Sequence, residues 1–93
     1  MENHLSRTVA RNREAAHRKV EGQTIIILPR LEEVVVLNET GAAIWELSDG
    51  ERTAEQVADE IARLFDVPID TARSDVRDLY DDLIATGVAQ TAT

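Results

Sequence analysis

Glu32-Glu33-Val34-Val35-Val36-Leu37-Asn38-Glu39-Thr40-Gly41-Ala42-Ala43-Ile44-Trp45-Glu46-Leu47-Ser48-Asp49-Gly50 decides how this chain is read. Four branched apolar residues in a row, Val34, Val35, Val36 and Leu37, predict a short strand. Asn38 is a good helix N-cap, and Gly50 suits the left-handed position that ends a helix, so a strand turning directly into a short helix is expected. An antiparallel strand with one wet face alternates apolar and polar residues, whereas residues 34–37 are apolar on both faces. Each face of this strand therefore needs a cover.

Upstream, His17-Arg18-Lys19-Val20 predicts a first strand, Glu21-Gly22-Gln23 a turn, and Thr24-Ile25-Ile26-Ile27-Leu28 a second strand. Pro29 stops the second strand because it has no donor for a ladder. Downstream, Thr53-Ala54-Glu55-Gln56 reads as a capping box that opens a second helix running to about Phe65. Its apolar stripe is Ala54, Val57, Ala58, Ile61 and Leu64, and Asp66-Val67-Pro68 ends it. Asp70 is the expected cap of a third helix, with Ala72, Val76, Leu79, Tyr80, Leu83 and Ile84 as its stripe and Gly87 as its stop. Arg73, Asp75, Arg77, Asp78, Asp81 and Asp82 fill the rest of its circumference. Val88-Ala89-Gln90 is expected to be a short extended tail before a frayed end. The fold class is thus α+β and winged-helix-like, with a small three-stranded antiparallel sheet followed by three helices. Ile26, Leu37, Ile44, Trp45, Val57, Ile61, Leu64, Leu79 and Leu83 are the expected core.

At 93 residues the chain makes one domain with a small core, burying about 60 to 65% of its unfolded surface. The formal net charge of −8 disfavours nucleic acid, whose binding draws on Lys and Arg neutralising phosphates. Charge is uneven. Through Arg30, six basic residues (Arg7, Arg11, Arg13, Arg18, Lys19, Arg30) face Glu2, Glu14 and Glu21, a net of +3; the remaining four basic and fifteen acidic residues make −11. Residues 1–15 are polar and aperiodic and are expected to form a mobile basic arm ahead of a domain over residues 16–90. With no cysteine there is no disulfide framework, thiol nucleophile or Cys-based metal site. There is no signal-peptide core and no run near the ~20 apolar residues of a membrane span, so no membrane partner and a cytoplasmic location are expected.

Chemistry is scarce. His4 and His17 lack any ligand spacing, so no metal or other cofactor is expected. Asp78, Asp81 and Asp82 read as the solvated face of an amphipathic helix, and Ser48 and Ser74 have no partner His nearby. Nothing argues for an enzyme. Trp45 reads as a core anchor, and Tyr80, whose hydroxyl needs a polar partner, as a residue at the border between core and groove. What remains is recognition. If Val34, Val35 and Val36 lie at a sheet edge, they present backbone groups blunted by neither charge nor proline. A peptide could add there as a fourth strand, or the strand could be central or pair with a second copy in a swapped homodimer; the pattern leaves both open.

The residues Leu37-Asn38-Glu39-Thr40-Gly41-Ala42-Ala43-Ile44-Trp45, with Asp49-Gly50 and Thr53 after them, resemble the signature of the PqqD-like family, over roughly residues 19–89. The resemblance implies a winged-helix-like recognition element for ribosomally made, post-translationally modified peptides (a RiPP recognition element). Such an element binds the leader of a precursor peptide and presents it to a modifying enzyme, a radical SAM enzyme or a lasso-peptide maturation enzyme among family systems. Carried over by position, it assigns the leader-binding edge to Val34, Val35 and Val36 and the facing helix surface to Arg73, Val76, Arg77 and Tyr80, with acidic leader residues near Arg73 or Arg77. One departure is Arg30-Leu31-Glu32-Glu33 where the namesake has a Pro-Glu-Gly-like turn, which weakens the link to coenzyme PQQ itself. The competing reading is a winged-helix DNA-binding regulator, but its reader helix would carry five Asp against two Arg. A phosphopantetheine carrier domain also fails, because neither Ser48-Asp49 nor Ser74-Asp75 fits the required serine setting.

Overall fold

Glu21 and Gly22, both left-handed at φ 49° and 83°, form the two-residue turn whose twist matches that of the strands beside it. It joins β2 (Ala16–Val20) to β3 (Gln23–Leu28) with Val20 opposite Gln23, as expected. A 3-10 turn at Pro29–Leu31 and a left-handed Glu32 at φ 53° then reverse the chain into β4 (Glu33–Leu37). The result is an antiparallel sheet in the order β2-β3-β4, seen in a computed structural model that describes residues 4–92.

Asn38 caps α1 (Glu39–Leu47), its side chain accepting the Gly41 N–H at 2.8 Å. Helix α2 (Ala54–Phe65) opens on the full capping box, with Gln56 N–H donating to Thr53 and Thr53 N–H donating to the Gln56 side chain. Helix α3 (Ile69–Thr86) ends at Gly87, left-handed at φ 85°. Its start differs from expectation. Pro68 is the N-cap without a side-chain bond, and Asp70 lies inside the first turn, where its charge still favours the helix N-terminus.

A second sheet, in the order β5-β1-β6, was not anticipated. It consists of β1 (Thr8–Arg11), β5 (Asp49–Thr53) and β6 (Ala89–Thr91), with β5 and β6 both antiparallel to the central β1. Part of the expected arm is therefore the central strand of a sheet, with Val9 fully buried; Met1, Glu2 and Asn3 lie outside the described residues. The tail also belongs here, since Thr91 pairs with Val9 instead of fraying, and Thr93 is not among the described residues. Gly50 is left-handed as expected, at φ 84°, but it ends no helix. It sits in β5 against Ala10, where the register with β1 shifts at an irregularity.

The core joins both sheets to the helices: Ile26, Leu28 and Leu37 meet Ile44, Trp45, Val57, Ile61, Val76, Tyr80 and Leu83, all at most 5% exposed. Leu79 packs against this core only in part, and Leu64 is 56% exposed. Helical geometry explains Leu64: it lies about 70° from the centre of the stripe set by Ala54, Val57, Ala58 and Ile61, whereas Phe65 lies about 30° away and is the residue that packs. Tyr80 is buried outright, its hydroxyl 2.7 Å from Ser48 Oγ, and that Ser48 hydroxyl donates to the Ile44 carbonyl at 2.6 Å. The polar partner anticipated for Tyr80 is thus inside the core, which leaves its ring nothing to show a groove.

Two measurements check this packing. Leu83→Ala should cost ~2 to 5 kcal/mol in denaturant unfolding, whereas Leu64→Ala should stay within ~0.5 kcal/mol; equal losses would refute the assigned stripes. Tyr80 is the single tyrosine, so phenolate absorbance reports on it alone. Burial pushes its pKa above the ordinary 10.0, outweighing the opposing pull of Ser48 and Arg7. The neutral phenol's contribution to stability is then complete below pH 10 and lost as pH rises through the raised folded value. Native protein should titrate above pH 10 and denatured protein near it; native titration at or below 10 would refute the burial of this hydroxyl.

Candidate functional site

The two-residue turn fixes which backbone groups point where. The N–H of Gln23 closes the turn onto Val20, so Gln23, Ile25 and Ile27 direct their N–H and C=O groups to β2. The alternate residues Thr24, Ile26 and Leu28 direct theirs to β4, where their partners are Leu37, Val35 and Glu33. It follows that Val34 and Val36 turn their N–H and C=O groups away from β3. Because β4 is an edge strand, those groups face an open edge. Their side chains, 62% and 57% exposed, share the outer sheet face with Ile25 and Ile27, and the half-buried Val35 points inward opposite Ile26. The two-sided apolar strand is thereby explained in part: its inner face meets the core, and no described residue covers its outer face.

Helix α3 approaches the chain segments on either side of β4. At its C-terminus the Gly87 backbone approaches the turn before β4 so closely that a β-carbon there would sit 2.8 Å from Leu31 Cδ1. Further back along α3, the side chains of Asp75, Asp78, Leu79 and Asp82 form one wall of a groove of about 280 Å³. Asn38, Thr40, Gly41 and Ile44, immediately after β4, form the other wall. The helix therefore runs opposite in sense to the strand, with the groove at the strand's far end.

The expected helix surface is turned elsewhere. Arg73, Val76, Arg77 and Tyr80 share one side of α3, and Asp75, Asp78, Leu79 and Asp82 share the opposite side, as 100° per residue requires. Val76 and Tyr80 are fully buried. Arg73 donates to the Glu55 carboxylate of α2 at 2.5 and 3.1 Å, and this bond raises the Arg73 pKa above its ordinary value. Arg77 lies 3.6 Å from Asp78, and its carbonyl accepts from Arg7 at 3.3 Å. Arg7 also meets Asp81 at 3.1 Å and stacks over the Tyr80 ring at 5.6 Å. Arg73 ties α3 to α2, Arg7 meets Tyr80 and the Arg77 carbonyl, and Val76 is buried; none of the four lines the groove.

The acidic wall was visible in sequence only as a polar face. Its signal is the spacing of Asp75, Asp78, Leu79 and Asp82, with one leucine among the carboxylates at i, i+3, i+4 and i+7. Leu79, an expected core residue, is half-buried and also lines the groove. Among the described residues no group of three or more His, Cys, Asp or Glu is arranged to hold a metal ion, and no helix is long and apolar enough to cross a membrane.

Known proteins resemble this chain in sequence and in fold. A curated relative, the PqqA binding protein of Rhizobium meliloti (strain 1021), is 33% identical over 64 residues, which cover 69% of this chain. The chain spans 63% of that relative's length. The solved structure of TbiB1 in complex with the TbiA(beta) leader peptide superposes with a TM-score of 0.77 over 87% of this chain and 94% of that one, at 17% identity, and so shares its fold. The family model for coenzyme PQQ synthesis protein D matches residues 23–89, a span from the start of β3 to the start of β6. The chain belongs to the coenzyme PQQ synthesis protein D (PqqD) family.

Proposed function

We propose that this protein is a peptide-binding adaptor: it takes the leader of a ribosomally made precursor peptide as a fourth strand on the open edge of β4 and holds it for a modifying enzyme. The observation that carries this reading is the pair Val34 and Val36, whose backbone donors and acceptors face outward at an edge that charge and proline leave open. Support comes from the family, from a relative named for binding PqqA, and from a fold neighbour solved with a leader peptide. Binding is the role, and no reaction is assigned to any residue. The DNA-binding alternative gains nothing from the structure, because the solvent side of α3 carries Asp75, Asp78 and Asp82 where phosphates would have to lie. A radical SAM or lasso-peptide type of modifying enzyme remains the expected recipient of the peptide.

The site in this proposal is the backbone of Val34 and Val36, the half-buried Val35 behind them, and the groove ending at Leu79. Arg73, Val76, Arg77 and Tyr80 are left out of it, since none of them lines the groove. The test follows from the hydrogen-bond parity. Proline at Val36 removes an outward donor, whereas proline at Val35 removes a bond to β3 and threatens the sheet itself. By calorimetry against leaders encoded by neighbouring reading frames, Val36→Pro, shown folded by circular dichroism, should bind about fivefold to tenfold more weakly, roughly the 1 to 1.5 kcal/mol of one hydrogen bond. Val36→Ala, which keeps the donor, should bind nearly as the parent does. A folded Val36→Pro with parental affinity would place the peptide elsewhere.

A further inference from the structure

The groove just past the end of β4 has a charge, and that charge constrains what can bind there. Asp75, Asp78 and Asp82 are exposed on the groove side of α3, and among the described residues only Asp78 has a cation within 4.0 Å, the Arg77 guanidinium at 3.6 Å. The opposite wall contains the start of α1, which offers about +0.5 of an elementary charge from its dipole. Three carboxylates against one arginine and half a charge leave the groove negative.

Spacing adds a pattern. Along α3, Asp75 lies about 6 Å before Leu79 and Asp82 about 4.5 Å after it. An extended chain repeats its side chains on one face every ~6.8 Å. One apolar side chain over Leu79 therefore places its neighbours two residues away on either side near Asp75 and Asp82, within reach of a long flexible side chain. We infer that the segment bound at this edge carries lysine or arginine two residues before and two residues after an apolar residue, and that Asp75 and Asp82 select for them. This rests on the edge-binding reading above and adds to it the chemistry of the ligand. It reverses the expectation of acidic leader residues near Arg73 or Arg77, which already have carboxylate neighbours.

The test uses two blocked nonapeptides, Thr-Thr-Lys-Thr-Leu-Thr-Lys-Thr-Thr and the same sequence with Glu for Lys, titrated into the 15N-labelled full chain at low salt. The lysine peptide should shift the amide resonances of Val34 and Val36 and bind about threefold to thirtyfold more tightly than the glutamate peptide, as two exposed ion pairs allow. The gap should narrow with added salt and close in Asp75→Asn/Asp82→Asn, a variant at two exposed positions whose fold is checked by thermal melting. Equal binding of both peptides at the edge, or a gap that survives in the double variant, would overturn the charge selection and leave edge binding standing. A lysine peptide that binds without moving Val34 or Val36 would overturn both, and no binding by either peptide would overturn the selection.

Discussion

The two left-handed residues at Glu21 and Gly22 control more than a turn. A two-residue connection allows only one register between β2 and β3, and the alternation of hydrogen-bonded pairs carries that register across β3 into β4. A slip of one residue would bury the outer Val34 and Val36 side chains and expose Val35 and Leu37. It would also exchange which backbone groups are left unpaired. The open edge is therefore set by a tight turn at the far side of the same sheet.

Helix α3 is held in place by contacts on the side away from that edge. The Tyr80 hydroxyl joins Ser48 inside the core, Arg73 is tied to Glu55, and Arg7 reaches both Tyr80 and Asp81. Arg7 directly precedes β1, whose central position in the second sheet anchors the N-terminal segment. The second sheet thus acts at a distance. Through Arg7 it fixes one face of α3.

Much of this was legible. The β2-β3-β4 sheet follows from the Glu21-Gly22 turn and from the apolar runs at residues 24–28 and 34–37, and the caps at Asn38, Thr53 and Gly87 fall where local chemistry puts them. The second sheet was not legible, because Thr8-Val9-Ala10-Arg11 and Asp49-Gly50-Glu51-Arg52-Thr53 contain one large apolar residue between them, Val9. Such strands are specified by what they pair with, and no local period reveals that. The groove was half legible. Sequence identified an unblunted strand, yet it placed Arg73, Val76, Arg77 and Tyr80 beside it, because an apolar stripe flanked by arginines resembles a binding face as closely as a buried one. Val76 and Tyr80 are buried, and Arg73 and Arg77 have carboxylate neighbours.

An exposed edge with valines on it is an aggregation hazard, and proteins usually remove such a hazard with charge on the strand itself. Here the only charge on the strand is Glu33 at its start, and further carboxylates sit on α3. Edge-to-edge pairing of two copies would bring together chains that each carry a net −8, with Asp75, Asp78 and Asp82 exposed on both. The repulsion acts against a second copy and not against a neutral or cationic strand. Placing the carboxylates on α3 therefore separates two demands that conflict on a single strand: the backbone of Val34 and Val36 stays free to pair, and self-pairing is opposed. It also makes the opposition sensitive to salt, since the charges are exposed, so the copy-to-copy barrier falls as ionic strength rises while backbone pairing does not.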